Sequence, residues 1–554
     1  MNNNVILEFK RSDIRLDNLD VVDSKRFEDF IKAFFKEYSF IGRSESSVEL
    51  FIEYKDKYDE FIYFLRKIIT KDKETINFIN SFDDEKKLEY LALIDDVYDF
   101  WRNKHRFLLL NNVENGENAQ KLISFFNYMN ETFENFYRYI YEIINGNYQT
   151  NYRELPAGFN SGILTKKYSF LLPENLQFVN EIKSVETVVT RPPFMFNSKQ
   201  NTRKGTFLSI NHKITSNDIK KEDFISVLIK VNHKRGLILI HKDYLYYLPS
   251  LANLFELSVL KEGEHIDFMV FFGVKNNDEE PYYYQENELY VGVLPTKFGI
   301  DYFGYLKKMI LTLFNLIQID NGNLPIHGAG VQISMSNGKI YNICFLGDSG
   351  AGKSETLEAI KNLKSKNIKS IKTIFDDMGT FYLNDNKVYM SGTEIGAFVR
   401  VDDLDKGYPL KSVDRAIYMN IDETNSRTII PIIDYRSTCQ KYCLDYFFLT
   451  DNFTDSFVGI EQFINEDVAL SEFKKGERKA KGTTDEIGLV TTYFANPFGP
   501  SQREKVVDSF IGNYFSSLYK NKVYVGRLYS RLSIDANNGP KIAANSLISL
   551  LMSK

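Results

Sequence analysis

The chain has 554 residues, 43% of them hydrophobic, with 69 basic against 74 acidic side chains and a net charge of −5. That length can build several cores, while the slightly acidic balance excludes the broad cationic surface of a nucleic-acid binder. Three cysteines rule out a disulfide framework, and the absence of a signal-peptide pattern or a long apolar run predicts a reduced, cytoplasmic chain without membrane partners.

From about residue 24 to 150 the pattern is helical. Phe27, Phe30, Ile31, Phe34 and Phe35 fall on one face of a 3.6-residue period, and "SFFNYMNETFENFYRYIYEII" repeats the behaviour with aromatics read as packing residues. Residues 1–150 are therefore expected to form a helical domain, followed by a polar linker over 145–162. The segment "FISVLIKVNHKRGLILIHKDYLYYLPS" is rich in β-branched and aromatic residues around "HKRG", which predicts a hairpin turning there within a mixed or β-rich domain over 163–300. Over 301–554, strand-like runs ("YNICFLGD", "IKTIFDD", "RTIIPIIDY", "KVYVGRL") alternate with helical ones, the order of an α/β nucleotide-binding domain. Cys439 and Cys443 make a C-x(3)-C pair with no second pair and are read as structural.

"GDSGAGKSE" between an apolar run and a helical one is a phosphate-binding loop, G-x(4)-G-K-S. A phosphate chain needs convergent N–H donors and close backbone approach, which Gly347, Asp348, Ser349, Gly350, Ala351 and Gly352 provide. Lys353 adds a point charge, Ser354 a hydroxyl for a nucleotide-bound Mg²⁺, and the helix its positive end. ATP or GTP is the expected ligand. Asp376 and Asp377 close the next strand, where a hard divalent cation finds charged oxygens.

Lys307 and Lys308 in "YLKKMI", His327 in "PIHGAG" 19 residues after Lys308, and the loop lysine 26 residues further on form an ordered set. It resembles the ATP-dependent phosphoenolpyruvate carboxykinases, whose stretches run Y-x-G-E-M-K-K, M-H-C-S-A-N and G-L-S-G-T-G-K-T. "DETNSRTIIPIIDY" is similar to that family's E-N-T-R-V-x-Y-P-I and "GRLYSRLSID" to its R-I-S-I; "FFLTDNF" and "TTYFANPFG" also fall in order. The resemblance covers residues 300–554. It implies a P-loop carboxykinase-like α/β domain, a catalytic Mn²⁺ on Lys308, His327 and Asp377, Arg427 on substrate and transferring phosphate, Arg531 on the nucleotide and Tyr302 on the substrate side. Lys308 can ligate a metal only as a neutral amine, so its pKa is expected to be depressed.

The resemblance thus implies an enzyme using ATP, Mg²⁺ and Mn²⁺ to decarboxylate and phosphorylate oxaloacetate to phosphoenolpyruvate. Three departures accompany it. The loop itself resembles that of bacterial HPr kinase/phosphorylase. "GTEIGAFVR", with Arg400, stands where the family has G-G-C-Y-A-K. Its G-R-S-P-x-D-K segment has no counterpart, Arg191 and Arg203 being the arginines on hand. An HPr-kinase-like kinase acting on a protein or small-molecule hydroxyl, with Asp377 as base and His327 assisting, is therefore the second expectation. A non-catalytic nucleotide-binding regulator, with a protein partner for the N-terminal helices, is the third.

Overall fold

The computed structural model describes residues 4–10, 18–38, 47–111, 119–145, 157–275, 277–348, 350–363, 365–401, 415–480 and 488–553. The chain is mixed α/β and divides into two compact units, Met1–Lys167 with Lys183–Arg191, and Tyr168–Ile182 with Pro192–Lys554. Among the described residues no helix is long and apolar enough to cross a membrane.

In the first unit the expected helical face is real. Helix Lys25–Glu37, capped by the Ser24 side chain on the Phe27 amide, buries Phe27, Phe30, Ile31, Phe34 and Phe35. They pack with helices Tyr58–Ile69 and Asp84–Arg102 and with residues of Ala119–Asn145 in one aromatic-rich core. The helical reading missed two strands, Asn4–Lys10 and His105–Asn111, which pair in parallel. His105–Asn111 is buried along its whole length, so the alternation that marks a half-exposed strand is missing. It also pairs with Ser161–Lys166. Most of the expected linker, residues 146–156, lies outside the described residues.

In the second unit, Phe224–Val231 and Lys234–His241 form the expected hairpin. Its turn is Asn232–His233, only the first residue of "HKRG" taking part, because Asn232 accepts the positive φ of 52° that a tight hairpin needs. Strand Phe268–Val274 lies parallel between Lys234–His241 and Leu289–Pro295. Helix Phe303–Asp320 packs against this sheet and against strand Leu324–Met335, and every residue but Lys308 and Asp320 is buried. An apolar helix held on both sides carries the charge of Lys307 into the interior.

The second sheet of this unit sets the site. In order it holds Tyr442–Cys443, Lys387–Gly392, Ile368–Asn384, Leu324–Met335, Ile340–Leu346, Tyr446–Asp451, Tyr524–Tyr529 and Ile460–Gln462. Ile340–Leu346, Tyr446–Asp451 and Tyr524–Tyr529 run parallel and end together, the edge at which α/β sheets bind ligands. Gly328 lies opposite both Leu346 and Asp377. The register therefore levels His327, Asp377 and the start of the Gly347 loop. A Cβ on Gly328 would stand 2.3 Å from the Phe345 carbonyl oxygen, on backbone that cannot rotate aside. Gly328→Ala should cost ~1–3 kcal/mol of stability by overpacking, read as a lowered midpoint for this unit in urea unfolding; an unchanged midpoint would show that the ladder relaxes freely.

Candidate functional site

Residues 347–352 link strand Ile340–Leu346 to helix Lys353–Asn362. Gly352, at the helix N-cap, has φ of 97° and sits where a Cβ would meet Ser530 Oγ at 2.3 Å, so both backbone and space require glycine. The loop is shaped from outside. Ser530 Oγ donates to Ala351 O at 2.8 Å, Thr450 Oγ1 to Leu346 O at 2.7 Å and Asn452 Nδ2 to Gly350 O at 3.0 Å. The buried Lys353 ammonium donates to Gly347 O at 2.5 Å and Asp348 O at 3.0 Å. Burial pulls its pKa below the usual lysine value, against the charges of Asp377, Asp348 and Asp376. Ser349 and the side chain of Ser354 lie outside the described residues.

Asp377 draws the other predicted residues together. Its Oδ2 is 2.6 Å from Lys307 Nζ and 2.8 Å from Lys308 Nζ, and its Oδ1 is 3.0 Å from His327 Nε2. The two lysines arrive from the buried helix; Asp377 arrives from the strand with a positive φ of 93°, rare for a non-glycine residue. Lys307 and His327 are almost fully buried, whereas Asp377 leaves 27% of its side chain exposed, so the carboxylate forms the open lip of the cluster. Burial would raise the Asp377 pKa, yet Lys307, Lys308 and His327 together hold it well below the usual carboxylate value. Lys308 is lowered, as expected, by burial and by the charge of Lys307, while Asp377 opposes. Lys307 goes the other way: burial works to lower its pKa, but Asp377 and Glu394 outweigh it.

Glu394 was not singled out in the sequence. It is 2% exposed, its Oε1 lies 3.0 Å from Lys307 Nζ, and burial with the nearby Asp377 charge pushes its pKa up to about 7. Arg478 was missed too: it is buried, with Nη2 3.0 Å from Asp348 Oδ2, while Asp348 Oδ1 is 3.2 Å from His327 Nδ1. The Asp348 carboxylate thus faces both the histidine and Arg478.

Two phenylalanines organise the cations around this cluster. Lys307 and Arg427 both lie over the ring of Phe398, at 5.7 and 5.3 Å. Arg400 is directly opposite Arg427 in the ladder of Gly396–Arg400 with Arg427–Pro431. Tyr302 is buried at the N-cap of the lysine helix, 6.0 Å from Phe398. On the other side, Lys308 and Arg203 share the ring of Phe498 at 4.5 and 5.3 Å. Arg203 therefore reaches the site, whereas Arg191 pairs with Glu134 in the first unit. Arg531 stands apart from the Asp377 cluster, paired to Asp455 at 2.5 Å and stacked 3.9 Å over Phe457.

Among the described residues no group of three or more His, Cys, Asp and Glu side chains forms a metal site. The donors that converge here are of another kind, a lysine amine, an imidazole nitrogen and one carboxylate. With Lys308 lowered in pKa, that mixed nitrogen and oxygen set could hold a first-row divalent ion. No protein-family model matches the chain, and no curated protein matches it. The functional reading therefore rests on the chemistry of the site.

The raised pKa of Glu394 has a consequence for stability. Its folded pKa, about 7, exceeds the ordinary 4.5, so the folded state holds more protons between those values and loses stability as pH rises through that window. The depressed pKa of Asp377 acts below its ordinary 3.8 and does not offset this slope. Glu394→Gln should flatten the fall in unfolding free energy between pH 4.5 and 7; an unchanged slope in denaturant titrations would place the proton elsewhere.

Proposed function

We propose that the chain is a phosphoenolpyruvate carboxykinase-like enzyme, which uses a nucleoside triphosphate to phosphorylate the enolate left when oxaloacetate loses CO₂. The observation that supports it most is the convergence of Lys308, His327 and Asp377 beside Lys353 and its loop. That juxtaposition sets a place for an enolate oxygen next to a place for a γ-phosphate. In this reading residues 301–554 are the P-loop catalytic domain, 163–300 the mixed domain before it, and 1–150 a helical domain suited to a protein partner.

The residues divide the work by charge. Lys353 leaves the carbonyls of Gly347 and Asp348 for the β- and γ-phosphates, and the loop amides complete the cradle. Arg427, with Arg400 opposite it, neutralises the charge that spreads over the transferring phosphoryl group and the substrate carboxylate. Arg203, over the Phe498 ring, takes the place of the dicarboxylate clamp that has no counterpart in the sequence. Tyr302 packs against Phe398 and shapes the substrate side. Lys308, His327 and Asp377 would hold Mn²⁺, which supplies Lewis-acid stabilisation of enolate charge; Ser354 and Asp376 are assigned to Mg²⁺ on sequence pattern, and Arg531 to the nucleotide.

One observation favours the second reading, a kinase acting on a hydroxyl: the Asp348 carboxylate against His327 gives the loop a feature the carboxykinase pattern lacks. Asp377 is a poor general base for that reaction, because two lysines and a histidine lower its affinity for the proton it would have to take. Purified protein with oxaloacetate, ATP, Mg²⁺ and Mn²⁺ should form phosphoenolpyruvate, and Lys353→Ala should lower turnover about 10²-fold or more. Tight ATP binding with no phosphoenolpyruvate formed would refute the carboxykinase reading and leave the kinase and the nucleotide-binding regulator.

A further inference from the structure

His327 is held from two sides. Its Nδ1 lies 3.2 Å from Asp348 Oδ1 and 3.1 Å from the Ala495 carbonyl oxygen. An ionised carboxylate and a carbonyl can only accept, so Nδ1 carries a proton. With that proton on Nδ1, Nε2 is the nitrogen that faces the Asp377 carboxylate, at 3.0 Å, and it can offer a lone pair to a cation there once it carries no proton of its own. Asp348 is itself fixed by Arg478, 3% exposed, at 3.0 Å. The short strand carrying Arg478 is tied to the loop through Asn452, whose amide donates to Gly350 O at 3.0 Å and Lys479 O at 2.8 Å and accepts from Lys479 N at 2.9 Å. The Gly347 amide closes the circuit, donating to the His327 carbonyl at 3.1 Å.

We infer that Asp348, anchored by Arg478, is a positioning residue for the cation site: it holds His327 in the Nδ1–H tautomer, aims Nε2 at the space beside Asp377 and Lys308, and ties the phosphate loop to that ligand set. The inference rests on the metal reading of Lys308, His327 and Asp377 given above. The carboxylate does not touch the cation; it acts through the ring, as the outer partner of a metal-ligating histidine does. The resembled carboxykinase loop has leucine at the matching place; Asp348 belongs to the part of the loop that resembles HPr kinase/phosphorylase.

The test is Mn²⁺ titration of the nucleotide-free full-length protein, with free Mn²⁺ read by electron paramagnetic resonance. Asp348→Ala should weaken Mn²⁺ binding about 10- to 100-fold. Asp348→Asn keeps an oxygen to accept from Nδ1–H and should restore affinity to within about threefold of wild type, a rescue that simple loosening of the loop would not produce. Should Asp348→Ala fail to fold around the orphaned Arg478, the paired replacement Asp348→Leu with Arg478→Met removes the ion pair as a unit and should show the same weakening. Wild-type affinity in the folded Ala or Leu/Met variant, with His327→Ala abolishing binding, would overturn the role of Asp348 alone. Mn²⁺ binding that survives His327→Ala would overturn the metal reading and this inference with it.

Discussion

Asp377 is the carboxylate that both lysines of a buried pair share. Lys307 and Lys308 are adjacent on a helix that is otherwise apolar and enclosed, and burying two like charges without a counter-charge would drive protons off. Both ammonium groups meet the same oxygen of Asp377, and His327 meets the other. The backbone yields to this arrangement. A φ of 93° at a non-glycine residue costs on the order of 1–3 kcal/mol, and it persists because the ladder pins the flanking residues, with His327 opposite Met378 and Ile326 opposite Gly379. Strain stored on the very residue that gathers the cations marks the site more firmly than any single contact does.

With Asp377 committed, the two lysines differ because their second partners differ. Lys307 has Glu394 as well and keeps its proton; Lys308 has only its share of Asp377 and lies beside another cation, so its proton is the more easily lost. The helix thus offers a permanent charge at one position and a potential amine ligand at the next. Sheet order supplies the rest. Three parallel strands end at one edge, and residues just beyond them, Thr450, Asn452 and Ser530, shape the phosphate loop without being part of it.

Much of this was legible in the sequence where chemistry is written in consecutive residues. The glycine spacing of 347–352, the apolar strand before it, the paired aspartates and the adjacent lysines all announce themselves locally. Glu394 and Arg478 did not. Each is an ordinary charged residue in a polar stretch, "SGTEIGAFVR" and "SEFKKGERKAKG", and what distinguishes them is burial against partners far away in the chain. Phe398 and Phe498 were equally silent, since an aromatic ring becomes a cation platform only when folding brings cations over its face. The strand His105–Asn111 escaped for the opposite reason, being too uniformly buried to alternate.

The local charge balance also follows from folding. Lys307, Lys308, Lys353, Arg203, Arg400 and Arg427 lie around Asp348, Asp376, Asp377 and Glu394, so cations outnumber carboxylates at this one place in a chain whose total is −5. Most of these cations are already engaged with carboxylates, carbonyls or rings, and this holds them still and at short range. The excess is what remains for ligands. Among buried side chains such an excess is screened less than it would be on an open surface. A slightly acidic protein can in this way gather a local excess of positive charge without a broad cationic surface.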